Sequence, residues 1–423
     1  MQPLRGTKDI LPDEITIWQD IYSKIHEILI LSNYHEIRTP IMENTNLFTR
    51  SIGDGTDIIN KEMYSFTDQG NRLITLRPEG TASIARSFIS NKLYAKQNIH
   101  RLWYFGPMFR YERPQNGRQR QFHQLGIECI GSYNPIADVE VIRLANKILQ
   151  IFQLKNYTIN INSIGHINER KIYTQELVQY LTNYINDLDE DSRKRLTTNP
   201  LRILDSKNEK TQEILNNAPL IQSYLNTESQ EHFNQVCELL DSLNIKYKIN
   251  NKLVRGLDYY NDTAFEITTD LLGSQDTICG GGRYNSLIKQ LGGPQTPAVG
   301  WAIGIERLII ATKNQFTQNS LNPILYLVNQ NIETQKYMWQ IIEYLETHNI
   351  PFELDISEAN LQKQITKAYK SYALGCIIIG ENELKNNTIT LKNLKNKNFP
   401  QKTFPITRLI KEINILIEQC SKL

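Results

Sequence analysis

Carboxylates next to small residues, arginines placed to grip a phosphate, and glycine runs that let backbone approach closely are the chemistry-bearing features of this chain. They are densest in the stretch 101–131, RLWYFGPMFRYERPQNGRQRQFHQLGIECIG. It reads as two strands, about 102–111 and 121–130, joined by a basic loop with Pro114, Asn116-Gly117, Arg113, Arg118 and Arg120. Asn-Gly is a strong turn signal, here in a loop longer than a tight hairpin needs. Side chains alternate along a strand. Phe122, Gln124, Gly126 and Glu128 therefore share one face, and Tyr104, Gly106, Met108 and Arg110 share another. If the two faces coincide, an arginine stands beside an amide and a carboxylate over a floor with two missing side chains. A small zwitterion and a phosphate would fit there. A surface hairpin with a solvated basic loop is the alternative.

Three further stretches carry chemistry. In LITLRPEGTAS (73–83) Pro78 is expected to open a helix bearing Ile84, Phe88 and Ile89, with Glu79 and Thr81 at its start. An acid and a hydroxyl there are ordinary capping residues. LVRGLDYYND (253–262) packs Arg255, Asp258, Tyr259 and Tyr260 around Gly256, and CGGGRYN (279–285) follows. Three glycines cost chain entropy and open the backbone to close approach; a flexible turn is the alternative. No GK[ST] follows, so this is not a Walker A loop, and it is not a dinucleotide GxGxxG. In PAVGWAIGIERLII (297–310) Gly300, Ala302 and Gly304 alternate along one strand face, a slot for a flat base, and Arg307 lies in the first turn of a helix where it could reach a phosphate. Close packing of helix on strand is the plainer reading.

The elements that must hold these residues follow from periodicity. Pro12 and Asp13 signal a helix start, and Trp18, Ile21, Tyr22, Ile25, Ile28 and Leu29 recur at helical spacing. HEIRTPI (35–41) reads as a strand closed by Pro40, MYSFTD follows a glycine-rich turn at 53–55, 138–152 reads as a helix and 157–165 as a strand. From 166 to 250 the chain is polar and largely helical, with a stripe of Phe233, Val236, Cys237, Leu240 and Leu243, like an inserted module. Beyond 321 helix and strand alternate: strands at ILYLV, 352–354, GCIIIG and TITLKN, helices at 333–348, 359–372 and 407–420. Lys385, Lys392, Lys395, Lys397 and Lys402 gather there, a solvated face or a nucleic-acid patch.

Composition bounds the rest. At 423 residues two or three domains are expected. A net charge of +2 gives no global field for nucleic acid, so any such contact is local. The five cysteines form no CxxC pair, which suggests a reduced compartment with neither zinc knuckle nor disulfide framework. No apolar run approaches a membrane span and the N-terminus has no transit pattern. Heavy use of Asn, Ile and Lys hints at an AT-rich genome.

LRPEGTAS, FRYERPQNGRQRQFHQLGIE, LVRGLDYYN with GGRYN, and GWAIGIERL occur in this order. Together they resemble the histidyl-tRNA synthetases, class II aminoacyl-tRNA synthetases of bacterial type, and the likeness runs from RGTKDILP through TNPLRILDSKN to the C-terminal region. It implies an α+β fold: a class II catalytic domain with a six- to seven-stranded antiparallel sheet flanked by helices (1–165 and 251–320), a helical insertion that touches the tRNA acceptor arm (166–250), and a C-terminal α/β anticodon-binding domain (321–423). Pro40 matches the proline of the motif at a homodimer interface.

The resemblance also implies histidine–tRNA ligase activity: L-histidine and ATP give histidyl-adenylate and pyrophosphate, then histidine passes to the 3′ end of tRNA(His). Glu79 and Thr81 match the ammonium site, Gln124 and Arg110 the carboxylate site, and Glu128 and Tyr260 the imidazole site, with Tyr259 and Tyr284 lining it. Arg110 and Arg255 match the catalytic arginines on the α-phosphate, and Arg307 the one on the γ-phosphate. Glu112 matches a position near the adenine or a metal-bound phosphate. Mg²⁺ accompanies the ATP phosphates without a dedicated protein site. Arg113, Gln115, Arg118 and Arg120 match the loop at the acceptor end, where Arg113 and Gln115 are candidates for reading an extra 5′ guanosine. Trp301 and Asn285 stand where many relatives carry phenylalanine and aspartate. The competing expectation is a catalytically silent regulatory subunit of histidine biosynthesis, a type that typically lacks the C-terminal domain and erodes RGLDYY. A plain nucleic-acid-binding module would have no use for buried carboxylates at 79 and 128. A soluble protein of the cytoplasm, or of the plastid stroma if organelle-encoded, is expected, with no membrane partner.

Overall fold

In the computed structural model, which describes all residues except 54, 55, 57, 116, 274, 275, 314–323, 358, 397–399 and 421–423, the chain opens with helix α1 (Pro12–Leu31). Proline at its first turn and Asp13 and Glu14 beside it suit the exposed N–H groups there, and Trp18, Ile21, Ile25, Ile28 and Leu29 form its buried stripe. Then come β1 (His35–Glu36), β2 (Met42–Asn44), α2 (Thr45–Ile52), β3 (Tyr64–Thr67), β4 (Leu73–Leu76), α3 (Thr81–Ser90), β5 (His100–Phe109), β6 (Gln121–Ile130), α4 (Pro135–Ile151) and β7 (Tyr157–Ser163). Four helices follow: α5 (Ile167–Thr182), α6 (Glu190–Thr198), α7 (Glu209–Leu215) and α8 (Thr227–Ser242). The first unit continues with β8 (Lys248–Ile249), β9 (Asn261–Thr269), β10 (Thr277–Arg283), α9 (Leu287–Gln290), β11 (Ala298–Gly304) and α10 (Ile305–Ala311).

Its main sheet runs β1-β5-β6-β11-β10-β9-β7-β8, and β2-β4-β3 form a small second sheet. The main sheet has eight strands, not the six or seven expected. Its central pairings are antiparallel, while β1 on β5 and β8 on β7 are parallel additions at either end. Strand parity divides the two faces. Trp103, Leu125, Ile127, Cys129, Ile267 and Ile303 point into a core closed by α1, α4 and α8. Leu102, Tyr104, Met108, Ala264 and Tyr284 point to the other side, with α3, α5 and the stretch that follows α5. The stripe expected in the insertion is real for Phe233, Val236 and Leu240, which join the α1–α4 core and so tie α8 to the sheet. Leu243 is exposed.

The second unit, Gln318–Leu423, holds β12 (Leu325–Asn329), α11 (Ile332–Thr347), β13 (Phe352–Leu354), α12 (Leu361–Ala368), β14 (Gly375–Ile379), α13 (Glu381–Asn386), β15 (Thr388–Asn393), β16 (Lys402–Pro405) and α14 (Leu409–Cys420). Its mixed sheet runs β13-β12-β14-β15-β16. The ammonium groups of Lys392 and Lys395 lie 5.4 and 5.7 Å from the ring centroids of Tyr369 and Tyr372, and Lys402 pairs with Glu412 at 2.8 Å.

Several expectations need correction. The strand expected at 35–41 pairs only over His35–Glu36. The helix expected from Pro78 begins at Thr81, and the one expected over 359–372 spans Leu361–Ala368. CGGGRYN is no flexible turn: its glycines lie inside β10, between β9 and β11. Helix α13 and strand β16 were not anticipated. Gly55, Asn116, Lys397 and the expected boundary at 320/321 lie outside the described residues.

Candidate active site

Tyr104 faces Gly126, Gly106 faces Gln124 and Met108 faces Phe122, so the two faces coincide. The row continues across the sheet, with Gly300 opposite Glu128, Ala302 opposite Gly126 and Gly304 opposite Gln124, and Gly280 opposite Ala302. The missing side chains, however, mostly do not leave room for a ligand. A Cβ at Gly126 or at Gly80 would lie 2.2 Å from the Tyr104 ring, and one at Gly106 2.6 Å from the Arg77 guanidinium. At Gly300 it would lie 1.8 Å from Glu128 Oε2, and at Gly280 2.0 Å from Arg255 Nη2. These glycines are sockets for protein side chains. The floor opens onto the cleft around Ala302 and Gly304, where the nearest side-chain atom to a Cβ on Gly304 is 3.7 Å away on Arg307.

Two carboxylates are buried beside this floor. Glu79 accepts the backbone N–H groups of Thr81 at 2.8 Å and Ala82 at 2.7 Å, at the start of α3. Capping and site-building thus coexist in one residue. Burial raises its pKa above the ordinary range against those two bonds. Glu128 accepts from Thr81 Oγ1 at 2.7 Å and from the Tyr284 hydroxyl. Its burial pushes its pKa up to about 8, so the ligand-free carboxyl carries a proton at neutral pH. Each of its oxygens is engaged once, which leaves lone pairs for a further donor.

Cations close the other side. Arg110 donates from Nε to the Pro78 carbonyl at 2.9 Å and lies 5.2 Å from the Phe122 ring centroid. Arg307 donates to the Gly117 carbonyl at 3.0 Å and the Thr277 carbonyl at 2.7 Å. Arg118 reaches Glu112 at 3.2 Å. Arg255 sits 3.5 Å from Glu266 and 5.9 Å from the Tyr260 ring centroid. The cleft they enclose holds roughly 900 Å³ with its open mouth, and Glu79, Thr81, Arg110, Glu112, Arg118, Phe122, Gln124, Arg255, Tyr259, Tyr260 and Arg307 all line it. Glu128 and Tyr284 lie one hydrogen bond behind Thr81 rather than on the lining. Among the described residues Gln124 Oε1 and Arg255 Nε are buried without a hydrogen-bond partner. Such groups cost free energy until something fills the cleft.

The loop residues separate. Arg118 lines the cleft, and Arg113 and Gln115 are exposed. Arg120 is turned away, its guanidinium 3.8 Å from the Tyr111 ring centroid and its stem packed where Gly6 has no side chain. No group of His, Cys, Asp and Glu among the described residues could hold a metal ion by itself. No helix among them is long and apolar enough to cross a membrane.

A model of the histidyl-tRNA synthetase family matches residues 6–308. The chain belongs to this family. A model of the anticodon binding domain matches residues 324–415. A chloroplastic histidine–tRNA ligase of Gracilaria tenuistipitata var. liui is 62% identical over 418 residues, 98% of this chain and 98% of its own. A histidine–tRNA ligase of Rippkaea orientalis is 50% identical over 422 residues, 100% of this chain and 98% of its own. The crystal structure of apo S. aureus histidyl-tRNA synthetase superposes with a TM-score of 0.80 at 37% identity, covering 98% of this chain and 99% of that one. The fold is that of a class II synthetase with a C-terminal anticodon-binding domain, and histidyl-tRNA synthetases use ATP.

Some residues that build this synthetase cleft gave no local signal. Arg77 donates to the carbonyls of Pro107 at 2.9 Å and Thr39 at 3.0 Å, tying the LRPEG segment to β5 and to the chain before β2. Glu306 accepts the His123 backbone N–H at 3.0 Å and contacts its ring, fixing the start of α10 just before Arg307. Arg283 is fully buried and paired with Asp138 of α4 at 2.5 Å. This pair anchors the strand end that carries Tyr284. Removing one partner of a buried pair strands the other charge. Asp138→Ala should therefore lose about 3–5 kcal/mol of stability in urea unfolding, and a loss below about 1 kcal/mol would show that the pair is dispensable.

Proposed function

We infer that the chain is a histidine–tRNA ligase rather than the silent regulatory alternative. The observation that carries this is one cleft lined by the buried carboxylate of Glu79, with Glu128 one hydrogen bond behind Thr81, and by Arg255 Nε and Gln124 Oε1, which lack hydrogen-bond partners among the described residues, in a chain that matches named histidine–tRNA ligases over nearly its full length at 50–62% identity. In this reading Glu79 and Thr81 take the histidine ammonium, and Gln124 and Arg110 its carboxylate. Glu128 and Tyr260 take the imidazole, with Tyr259 and Tyr284 as walls. A buried carboxyl facing an imidazole N–H penalises an apolar isostere, which would leave it unpaired. Arg110 and Arg255 hold the α-phosphate while the histidine carboxylate attacks it, and Arg307 holds the γ-phosphate. The protein contributes positioning and charge stabilisation rather than proton transfer.

Mg²⁺ would accompany the ATP phosphates and help neutralise their charge. Glu112, held in the cleft by Arg118 at 3.2 Å, is the carboxylate that would share it, and one carboxylate plus substrate phosphates is an ordinary Mg²⁺ ligand set. Arg113 and Gln115, exposed in the β5–β6 loop, meet the tRNA acceptor end, with Arg118 beside them at the mouth of the cleft. Residues 1–165 and 251–320 form the catalytic domain, 166–250 the insertion and 321–423 the anticodon-binding domain. A second copy covers the exposed Ile41, Met42, Phe66 and Leu73 around the small sheet.

The proton on Glu128 gives histidine binding a pH profile. Ligand-free Glu128 keeps its proton up to about 8, and free imidazole is neutral above about 6.5. Between these values the complex forms without proton exchange. Below them imidazolium must shed a proton, and above them the site must regain one. Histidine affinity should be flat from about pH 6.5 to 8 and fall on both sides in calorimetric titration; a monotonic profile would remove Glu128 from the imidazole site. The deciding experiment for the activity is charging of a matched histidine tRNA with labelled histidine, beside a tRNA lacking the 5′ guanosine. No charging of either would refute the ligase reading.

A further inference from the structure

The loop 253–260 between β8 and β9 carries Arg255, Tyr259 and Tyr260 into the cleft, and it is held largely from the 166–250 helices. Arg170 of α5 donates from Nη1 to the Tyr260 carbonyl at 2.5 Å and from Nη2 to the Asp258 carbonyl at 3.1 Å. Among the described residues it pairs with no carboxylate, and burial holds its pKa below the usual arginine range. Asn199 donates to Asp258 Oδ1 at 3.1 Å. Arg202 Nη1 sits 2.8 Å from where a Cβ on Gly256 would lie. Arg170, Asn199 and Arg202 thus grip one loop from outside the cleft, and none of them lines it. A guanidinium kept from water is costly unless its donors are satisfied. Here the carbonyls of Asp258 and Tyr260, on either side of Tyr259, take two of its donors, so the bonds that offset burying the cation also fix the backbone that aims the two tyrosines.

We propose that Arg170 is a positioning residue for histidine binding, acting through the backbone of Asp258 and Tyr260. The proposal rests on the ligase reading for what Tyr259 and Tyr260 touch. Loss of the brace lets the loop sample positions in which the tyrosines miss the substrate, so the competent fraction falls and apparent histidine affinity falls with it. Of the ATP contacts, Arg110 and Arg307 lie on other elements and keep their geometry, and Arg255, although on this loop, is seated against Gly280 of β10, away from the two braced carbonyls.

The test is ATP–pyrophosphate exchange on the full chain, with histidine and ATP varied in turn, for Arg170→Ala, Arg170→Lys and Asn199→Ala. Arg170→Ala should raise the histidine KM about tenfold, a two-bond loss from a charged donor, with the ATP KM changed less than about twofold and Arg170→Lys recovering part of the deficit. Asn199→Ala should shift the histidine KM the same way by a few-fold, and it keeps the test decisive if Arg170→Ala does not fold. Equal rises in both KM values, or a lowered Tm with both KM values unchanged, would make Arg170 a residue of fold stability only. Amide exchange at 258–260 reads the brace independently of activity. Faster exchange there in Arg170→Ala supports it, and unchanged exchange overturns it. A wild-type chain without histidine-dependent exchange would instead refute the ligase reading, and the amide measurement would still judge the brace.

Discussion

Arg255→Ala should lower kcat for histidine-dependent ATP–pyrophosphate exchange by about 10³-fold, the size seen when a preorganised donor to a developing charge is removed. The chain should stay folded. Among the described residues Arg255 makes one long ion pair, 3.5 Å to Glu266, and its Nε has no hydrogen-bond partner, so little of the fold hangs on it. Its socket is rigid, because Gly280 in β10 leaves room for its guanidinium. That combination of a fixed seat and an unused donor suits a group whose partner arrives with the substrate. Negative charge builds on the α-phosphate as the histidine carboxylate attacks, and a cation already in place stabilises it without reorganisation. Arg255→Lys should restore only a small part of the rate, since an ammonium cannot reproduce the planar fork. Near-normal exchange in Arg255→Ala would end this assignment.

The second large effect is expected at Glu128. Glu128→Gln should raise the histidine KM by about 10- to 100-fold, as expected for a hydrogen bond to a charged group, with the ATP KM nearly unchanged. The same variant should be more stable than the parent when no histidine is present, and the sign follows from the raised pKa. The native carboxyl holds its proton up to about 8, whereas in the unfolded chain it ionises near 4.3. Native chains therefore bind more protons between those values, and stability falls as pH rises through that window. Glutamine has no proton to lose, so the Tm gap between variant and parent should widen from about pH 4.5 to 8. Equal losses for histidine and ATP, together with a pH-independent Tm gap, would show that Glu128 only packs the floor.

Much of this was legible where the physics is local. The bounds of β6 follow from alternation ending at Gly131, and its even-numbered residues share a face with those of β5 because pairing direction and parity leave no other arrangement. Legibility ended where a residue's meaning depends on a distant partner. CGGG looks like a turn until Arg255, Trp301 and Thr263 are known to press against it. Arg77, Arg283 and Glu306 are ordinary charged residues in the sequence, and only the folded sheet brings Thr39, Asp138 and His123 to them. The strand expected at 35–41 pairs with β5 only over its first two residues, and beyond them Thr39 turns its carbonyl to Arg77. Resemblance supplied what local reading could not, that RGLDYY belongs beside FRYER across an insertion.

The pairing of β6 with β11 also sets a timetable. Ile130 waits for Ala298, so during synthesis the β5–β6 hairpin is complete while its inner edge has no neighbour. At ordinary elongation rates the missing strand leaves the ribosome roughly 10–30 s later. For that interval a strand bearing Leu125, Ile127 and Cys129 exposes open hydrogen-bonding groups, the condition that invites edge-to-edge association. Nascent chains stalled between residues 131 and 298 should depend on chaperones more than the finished protein does. The long segment separating the two halves of the pocket is thus a kinetic burden of this architecture.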